Sequence, residues 1–384
     1  MKKNAVVLGC GLVGAAMARD IAEDPEFDVA VADVNEENLE RVKSIPRLRR
    51  ERADLSDRHE LAKLIGDADV VLGALPSRFG FATLRNVIEA GKPYADISFM
   101  AEDSLALDEL AKKKRVSAVV DCGVSPGLSN FMIGGAFAEL DAADRAEILV
   151  GGLPKVREWP FQYKAPFAPS DVIEEYTRPA RLMENGKVVV RPALSEPELV
   201  TFPRAGTLEA FNTDGLRTLL KTIPIPNMRE KTLRYPGHCE LMRAFRETGL
   251  FSQMAIEVAG AKVRPLDVTA KLLFPKWTYG SGEEEFTVLR VIVEGMREKR
   301  RVRHTFDLYD EYDRTSGLSS MARTTAFPCA IMARVLARRE FTEFGVFPPE
   351  LLARDHNLFD HVVDALRHRG VVITKNVETV SPVE

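Results

Sequence analysis

Gly9-Cys10-Gly11-Leu12-Val13-Gly14 spells GxGxxG between a short apolar run, residues 4–9, and a helical pattern carried by Leu12, Ala16 and Ile21. In that setting Gly9 makes a tight turn, Gly11 lets backbone approach a pyrophosphate, and Gly14 lets helix pack closely on strand. The phosphates would rest on the helix N-terminus, where N–H groups and the helix dipole favour anions. Asp33 closes the next apolar run, Asp28 to Asp33, 24 positions after Gly9. A carboxylate there takes ribose hydroxyls and repels a 2′-phosphate. Val34-Asn35 rather than arginine follows it, so the reading favours NAD over NADP. Asp54 either flanks the adenine or forms a turn. A flavin or S-adenosylmethionine site is the rival to NAD, and a glycine turn with no ligand is the plain alternative.

Three further strand ends carry Gly73-Ala74-Leu75-Pro76, Asp96-Ile97-Ser98 and Asp121-Cys122-Gly123. Ligands of open parallel sheets lie outside the carboxyl ends of the strands. Beside a dinucleotide, Asp96 and Asp121 suit a cation, or proton exchange with an amine that becomes an imine. The alternative is that each carboxylate caps a neighbouring loop.

The elements that position these residues alternate strand and helix. Apolar runs at 69–75, 94–98 and 116–122 are separated by helical patterns at 57–65, 78–90 and 104–114. Near-continuous apolar strands alternating with helices imply a parallel sheet covered on both faces. The expected fold class is therefore α/β: a doubly wound Rossmann sheet over residues 1–125, then a second α+β domain over 126–320. A C-terminal segment, 321–384, is expected to pack back on the Rossmann domain. In the second domain, Phe286 to Gly295 and Arg300 to Asp310 alternate as paired strands. The tail carries helical patterns at 325–338 and 358–369, the latter closed by Gly370.

Composition narrows the classes of function. The 384 residues hold 53 basic and 57 acidic side chains, a formal net charge of −4, so general affinity for nucleic acid or acidic lipid is not expected. Lys112 to Arg115 suits a helix C-terminus. The cysteines Cys10, Cys122, Cys239 and Cys329 form no CxxC, which points to a reducing, cytoplasmic compartment and to no metal site. His356, His361 and His368 read as solvated. The apolar run after Lys2-Lys3 is too short for an export signal, and no stretch reaches the length of a membrane span.

Asp121-Cys-Gly-Val-Ser-Pro-Gly-Leu-Ser-Asn130 resembles the saccharopine dehydrogenase-like family, and within it the L-lysine 6-dehydrogenases. The resemblance continues through 71–81 (VLGALPSRFGF), 96–100 (DISFM), 150–154 (VGGLP), 173–187 (IEEYTRPARLMENGK), 211–220, 232–238 (TLRYPGH) and 344–350 (FGVFPPE). It implies an NAD(P)-dependent redox reaction at a carbon–nitrogen bond. For lysine, this is oxidative deamination of the side-chain amine to the 6-semialdehyde or its piperideine form. For a saccharopine-type or carboxyspermidine-type secondary amine, the same bond is substituted.

By resemblance, nucleotide contacts fall on Gly9, Gly11, Leu12, Val13, Gly14, Asp33, Asp54, Ala74 and Leu75. Catalysis would fall on Asp121 and Asp96, with Asp121 the more catalytic. The substrate region takes in Ser98, Tyr163, Thr213, Asp214, Gly215, Arg217, Arg234 and His238. Arg217 and Arg234 are the candidate carboxylate anchors, arginine being shaped for a bidentate hold. Cys10 stands where alanine is common, and Asp214-Gly215-Leu216-Arg217 departs from the serine- and glycine-rich form of some lysine enzymes. A homodimer is implied, joined through the second domain. From a different class, the alternative is a nucleotide sensor without chemistry, and a methyltransferase that binds S-adenosylmethionine is a third reading.

Overall fold

A computed structural model describes residues 2–167, 169–280 and 282–379; the last residues of the expected tail, 380–384, lie outside them. The chain begins β1 (Lys3–Leu8), α1 (Leu12–Ala22), β2 (Phe27–Asp33), α2 (Glu36–Leu39), β3 (Leu48–Arg52), α3 (Arg58–Leu64) and β4 (Val70–Gly73). It continues through α4 (Ser77–Glu89), β5 (Tyr94–Asp96), α5 (Asp108–Lys114), β6 (Ser117–Val119) and α6 (Leu128–Ala138). There follow β7 (Ala142–Pro154), α7 (Pro169–Thr177), β8 (Ala180–Glu184), β9 (Lys187–Arg191), β10 (Glu198–Phe202), β11 (Gly206–Asn212) and α8 (Leu219–Thr222). Next come β12 (Asn227–Arg234), α9 (His238–Glu247), the hairpin β13 (Ile256–Val258) and β14 (Ala261–Val263), α10 (Pro265–Trp277), β15 (Glu285–Arg297) and β16 (Arg300–Glu311). The tail holds α11 (Ser320–Arg338), β17 (Gly345–Phe347), α12 (Pro349–Leu352), α13 (His356–His368) and β18 (Ile373–Thr379).

Two compact units result, one of Met1–Ala138 with Ala322–Val372, the other of Glu139–Met321 with Ile373–Glu384. The first unit contains a seven-stranded sheet in the order β17-β6-β5-β4-β1-β2-β3, parallel at every pairing. Strand order reverses at β1, the switch point where open α/β sheets bind ligands. The apolar runs explain the burial: Val7, Leu8, Val31, Ala32, Val70, Val71 and Leu72 are all fully buried. Capping explains helix starts: Asp57 accepts from His59 N and Glu60 N at the start of α3.

Two assignments differ from the sequence reading, and one strand is unassigned in it. Helix α6 belongs to the first unit rather than to a domain starting at 126. The segment Leu48–Arg52 is a strand although it reads Leu-Arg-Arg-Glu-Arg, because an edge strand with exposed side chains needs no apolar pattern. The tail divides: β17 completes the first sheet beside β6, whereas β18 pairs antiparallel with β16 in the second unit.

The second unit is built on a nine-stranded mixed sheet, β10-β11-β12-β7-β15-β16-β18, with β8 pairing β12 and β9. β15 and β16 form the expected hairpin, in register from Phe286↔Glu311 to Arg297↔Arg300. An aromatic core of Tyr163, Tyr176, Phe211, Phe251 and Trp277 lies in this unit. Among the described residues, no helix is long and apolar enough to cross a membrane.

Candidate functional site

The glycine turn joins β1 to α1. Gly9 has φ +98°, a left-handed conformation that favours glycine, and a Cβ there would meet Ala74 O at 2.6 Å. A Cβ on Gly14 would meet Gly9 O at 2.0 Å and Ala74 Cβ at 3.2 Å. Leu75 Cδ2 lies 3.3 Å from the same construction at Gly9, so Ala74 and Leu75 wall the turn. At Gly11 a Cβ would find nothing within 4 Å. Gly11 is also the N-cap of α1 and offers no side-chain cap, so the first turn of Leu12 and Val13 presents bare backbone N–H groups to open space. That cradle fits a pyrophosphate.

Asp33 is nearly buried, at 9% exposure. Its Oδ2 accepts from Cys10 N at 2.7 Å and Asn38 Nδ2 at 3.2 Å, and its Oδ1 from Asn35 N at 2.8 Å. The carboxylate thus ties the glycine turn to the end of β2, and a carboxylate keeps further acceptor capacity for a ribose. Burial, then the Asp33 charge, pushes the Cys10 thiol up to about 12, consistent with a small packing residue. Asp54 Oδ1 accepts from Ser56 N at 2.9 Å and Ser56 Oγ at 2.6 Å, the turn-forming role.

At the ends of β4, β5 and β6 the acids gather. Asp96 is fully buried and Asp121 is 1% exposed. Asp96 Oδ1 accepts from Ser98 N at 3.1 Å and Ser98 Oγ at 2.8 Å, while Cys122 N donates to Asp96 O at 2.8 Å. Asp96 Oδ2 has no hydrogen-bond partner among the described residues. Burial is the largest influence on this carboxyl and the Asp121 charge adds to it; against the hydrogen bonds from Ser98 and the nearby Tyr94 hydroxyl, they push it up to about 7. Asp121 holds φ +51°, a left-handed conformation that aspartate tolerates better than most residues. An acid raised toward neutrality, with one oxygen not already hydrogen-bonded, can exchange a proton with an amine brought beside it.

The second unit treats its predicted residues differently. Arg234, 2% exposed, donates to Glu175 Oε2 at 2.5 Å, to Leu233 O at 2.9 Å, and to the hydroxyls of Tyr163 and Tyr176 at 3.3 Å each. Its guanidinium also lies 4.3 Å over the Tyr163 ring. The expected carboxylate anchor already has its carboxylate, because a charge this deeply buried requires an internal partner. His238 is likewise committed, with Nε2 2.9 Å from Tyr176 Oη and Nδ1 2.9 Å from Phe161 O. Burial, then Arg234, pushes its imidazole down to about 3, so it is neutral near pH 7 and holds the aromatic core together.

Asp214 pairs bidentately with Arg181, Nε and Nη2 each donating at 2.8 Å, and accepts Arg181 N at 3.1 Å. Thr213 Oγ1 donates to Glu230 Oε2 at 2.5 Å, and Gly215 N donates to the same oxygen at 3.1 Å. A Cβ on Gly215 would stand 2.5 Å from Glu230 Cδ, so glycine is required. Burial pushes Glu230 up to about 8, leaving it protonated near pH 7. Arg217 is 8% exposed with φ +53°.

The structure therefore brings Gly9, Gly11, Gly14, Asp33, Ala74 and Leu75 into one cradle, and Asp96, Ser98 and Asp121 into one strand-end cluster. Tyr163, Arg234 and His238 join a buried aromatic and ionic cluster, while Thr213 and Gly215 converge on Glu230. Sequence reasoning passed over Glu175, Tyr176 and Arg181, although all three lie in the 173–187 block. Glu230 and Tyr94 were missed as well, and Tyr94 had a signal: it sits two positions before Asp96, on the same strand face.

Fold and cradle together define a two-unit α/β protein of the dinucleotide-binding class. Two family models match it: the saccharopine dehydrogenase NADP binding domain over residues 5–119 and the saccharopine dehydrogenase C-terminal domain over 123–371. The chain belongs to the saccharopine dehydrogenase family, and its first unit is of that family's pyridine-nucleotide-binding type. Alpha-aminoadipic semialdehyde synthase of Arabidopsis thaliana is 23% identical over 450 residues, covering 94% of this chain and 41% of that protein. The saccharopine dehydrogenase [NADP(+), L-glutamate-forming] of Schizosaccharomyces pombe is 20% identical over 460 residues, 97% of this chain and 98% of that one. The chain spans about half the length, or less, of the alpha-aminoadipic semialdehyde synthases it matches. Apo saccharopine dehydrogenase (L-Glu forming) from Saccharomyces cerevisiae shares the fold, with a TM-score of 0.81 at 18% identity over 98% of this chain and 100% of that chain.

Proposed function

We propose that this protein is a pyridine-nucleotide-dependent oxidoreductase that acts at the CH–NH bond of a saccharopine-type secondary amine. The observation that carries the reading is the buried acid Asp96, one of whose carboxylate oxygens has no hydrogen-bond partner among the described residues, at a strand end of a unit whose glycine cradle fits a dinucleotide. The family match over both parts of the chain supports it. The bound nucleotide supplies the hydride acceptor. An ammonium nitrogen has no lone pair to stabilise an imine, so a base must first take its proton. Asp96 Oδ2 accepts that proton, and Asp121 holds the positive charge nearby. Loss of hydride from the carbon and of the second N–H proton then leaves the imine, which water hydrolyses. This exchanges the roles that the sequence reading gave the two acids, because Asp96 has a carboxylate oxygen without a hydrogen-bond partner among the described residues and a carboxyl pushed up to about 7.

A second reading, a primary amine such as the side chain of lysine, is favoured by one observation. Arg234 is occupied by Glu175, which leaves one fewer anchor for the extra carboxylates of saccharopine. For the nucleotide, the names of the family model and of the yeast relatives favour NADP, whereas the Asp33 carboxylate favours NAD. The test is reduced-nucleotide formation at alkaline pH with saccharopine, lysine, ornithine and a carboxylated polyamine, each with NAD and NADP. Turnover of saccharopine supports the main reading and turnover of lysine alone the second. Nucleotide binding without turnover of any amine would overturn both. A homodimer is part of the proposal, and light scattering at the mass of one chain would refute it.

A further inference from the structure

Gly73 and Asp96 face each other across β4 and β5, as do Val71 and Tyr94. Tyr94 and Asp96, two positions apart, therefore share one face of the sheet. On that face Gly73 leaves a gap, and the two polar side chains enter it. A Cβ on Gly73 would lie 2.0 Å from Tyr94 Oη and 2.2 Å from Asp96 Oδ1. The two oxygens are thus separated by no more than the sum of those distances, within reach of a direct hydrogen bond or one bridging water. Both residues have zero exposure, and neither Tyr94 Oη nor Asp96 Oδ2 has a hydrogen-bond partner among the described residues. A buried hydroxyl without a partner is costly, and here the nearest remedy is the carboxyl beside it.

We propose that Tyr94 is a positioning residue for Asp96, and that Gly73 is glycine because the pair fills its side-chain space. When Asp96 is ionised, the phenol donates to it; when Asp96 is protonated, its O–H donates to the phenol oxygen. The hydroxyl follows the proton without moving a backbone atom. Burial, then the Asp96 charge, holds the phenol well above its ordinary range, so Tyr94 never ionises itself. The other groups facing Asp96 are Ser98 on the following turn, Asp121 beyond β6 and the Cys329 thiol of α11. None of these replaces the lost donor if Tyr94 is changed.

This inference rests on Asp96 being the proton acceptor, and its test reads Asp96 directly. The Asp96 carboxyl is titrated by carbon-13 NMR in the nucleotide-free protein, as wild type and as Tyr94→Phe. Removing a donor to the charged form raises the carboxyl, and the expected rise is about one pH unit, a tenfold gain in proton affinity. Tyr94 replaced by 3-fluorotyrosine, with the same shape and a more acidic hydroxyl, moves the titration the other way. An Asp96 midpoint unchanged in both variants would overturn the proposal, even if Tyr94→Phe lowered thermal stability. If the midpoint shifts and the pH profile of kcat does not follow, Tyr94 still tunes Asp96, and the assignment of Asp96 as the base is what fails.

Discussion

Replacing Arg234 by methionine separates an anchor from a buried structural charge. Methionine keeps much of the volume and removes the hydrogen bonds to Glu175, Tyr163, Tyr176 and Leu233 O, together with the stacking on Tyr163. Breaking one partner of a buried ion pair costs about 3–5 kcal/mol, because the other charge stays buried and unpaired. Burial already raises Glu175 above its usual range despite Arg234, so in the variant this carboxyl takes up a proton and limits the loss. For a unit of this size about 3–5 kcal/mol corresponds to a fall in Tm of roughly 6–20 °C.

The pH dependence has a definite sign. With Arg234 gone, native Glu175 binds a proton more tightly than the unfolded chain does, so the added cost is absent below the unfolded carboxylate range and grows as pH rises. Melting curves of Arg234→Met and wild type at pH 5, 7 and 8.5 should therefore diverge as pH rises. A second change, Glu175→Gln, should restore most of the loss, since the pair is coupled. The reasoning is refuted if Arg234→Met melts with wild type at pH 8.5 while the KM of the amine rises by orders of magnitude.

Gly11→Ala should leave Tm unchanged, since a Cβ there meets nothing within 4 Å, yet weaken nucleotide binding at least tenfold in a fluorescence titration. Gly14→Ala should lower both, because its Cβ would strike Gly9 O at 2.0 Å. Asp96→Asn should abolish the limb of the kcat/KM profile near pH 7. Because burial raises the carboxyl from 3.8 to about 7, its ionisation costs the native state about 4 kcal/mol above pH 7 and nothing below pH 4; the variant should thus melt higher at pH 8 and not at pH 4. His238→Asn should lower stability by about 1–3 kcal/mol and leave the activity profile unshifted between pH 5 and 9, as an imidazole held to about 3 takes no part there.

Local chemistry made much of the first unit legible. Glycine turns, apolar strands and Asp57 at a helix start act over a few residues, so the sequence itself determined β1, α1, β2, the cradle at Gly9, Gly11 and Gly14, and the two acids at strand ends. Edge strand β3 escaped because an exposed strand carries no apolar period. The division of the tail between β17 and β18 depends on partners distant in the chain: Leu308 and Ile373 pair across the second sheet, Ser117 and Gly345 across the first. Tertiary structure alone decided which charges are spent and which are open. Arg234 and His238 have the composition of a binding site in the chain, and burial turned them into internal partners of Glu175 and Tyr176. Asp96 differs from any other aspartate only through what surrounds it: desolvation, the neighbouring Asp121, the space left by Gly73. A side chain's type is written in the sequence, but its proton affinity is set by groups that only the fold brings within a few ångströms.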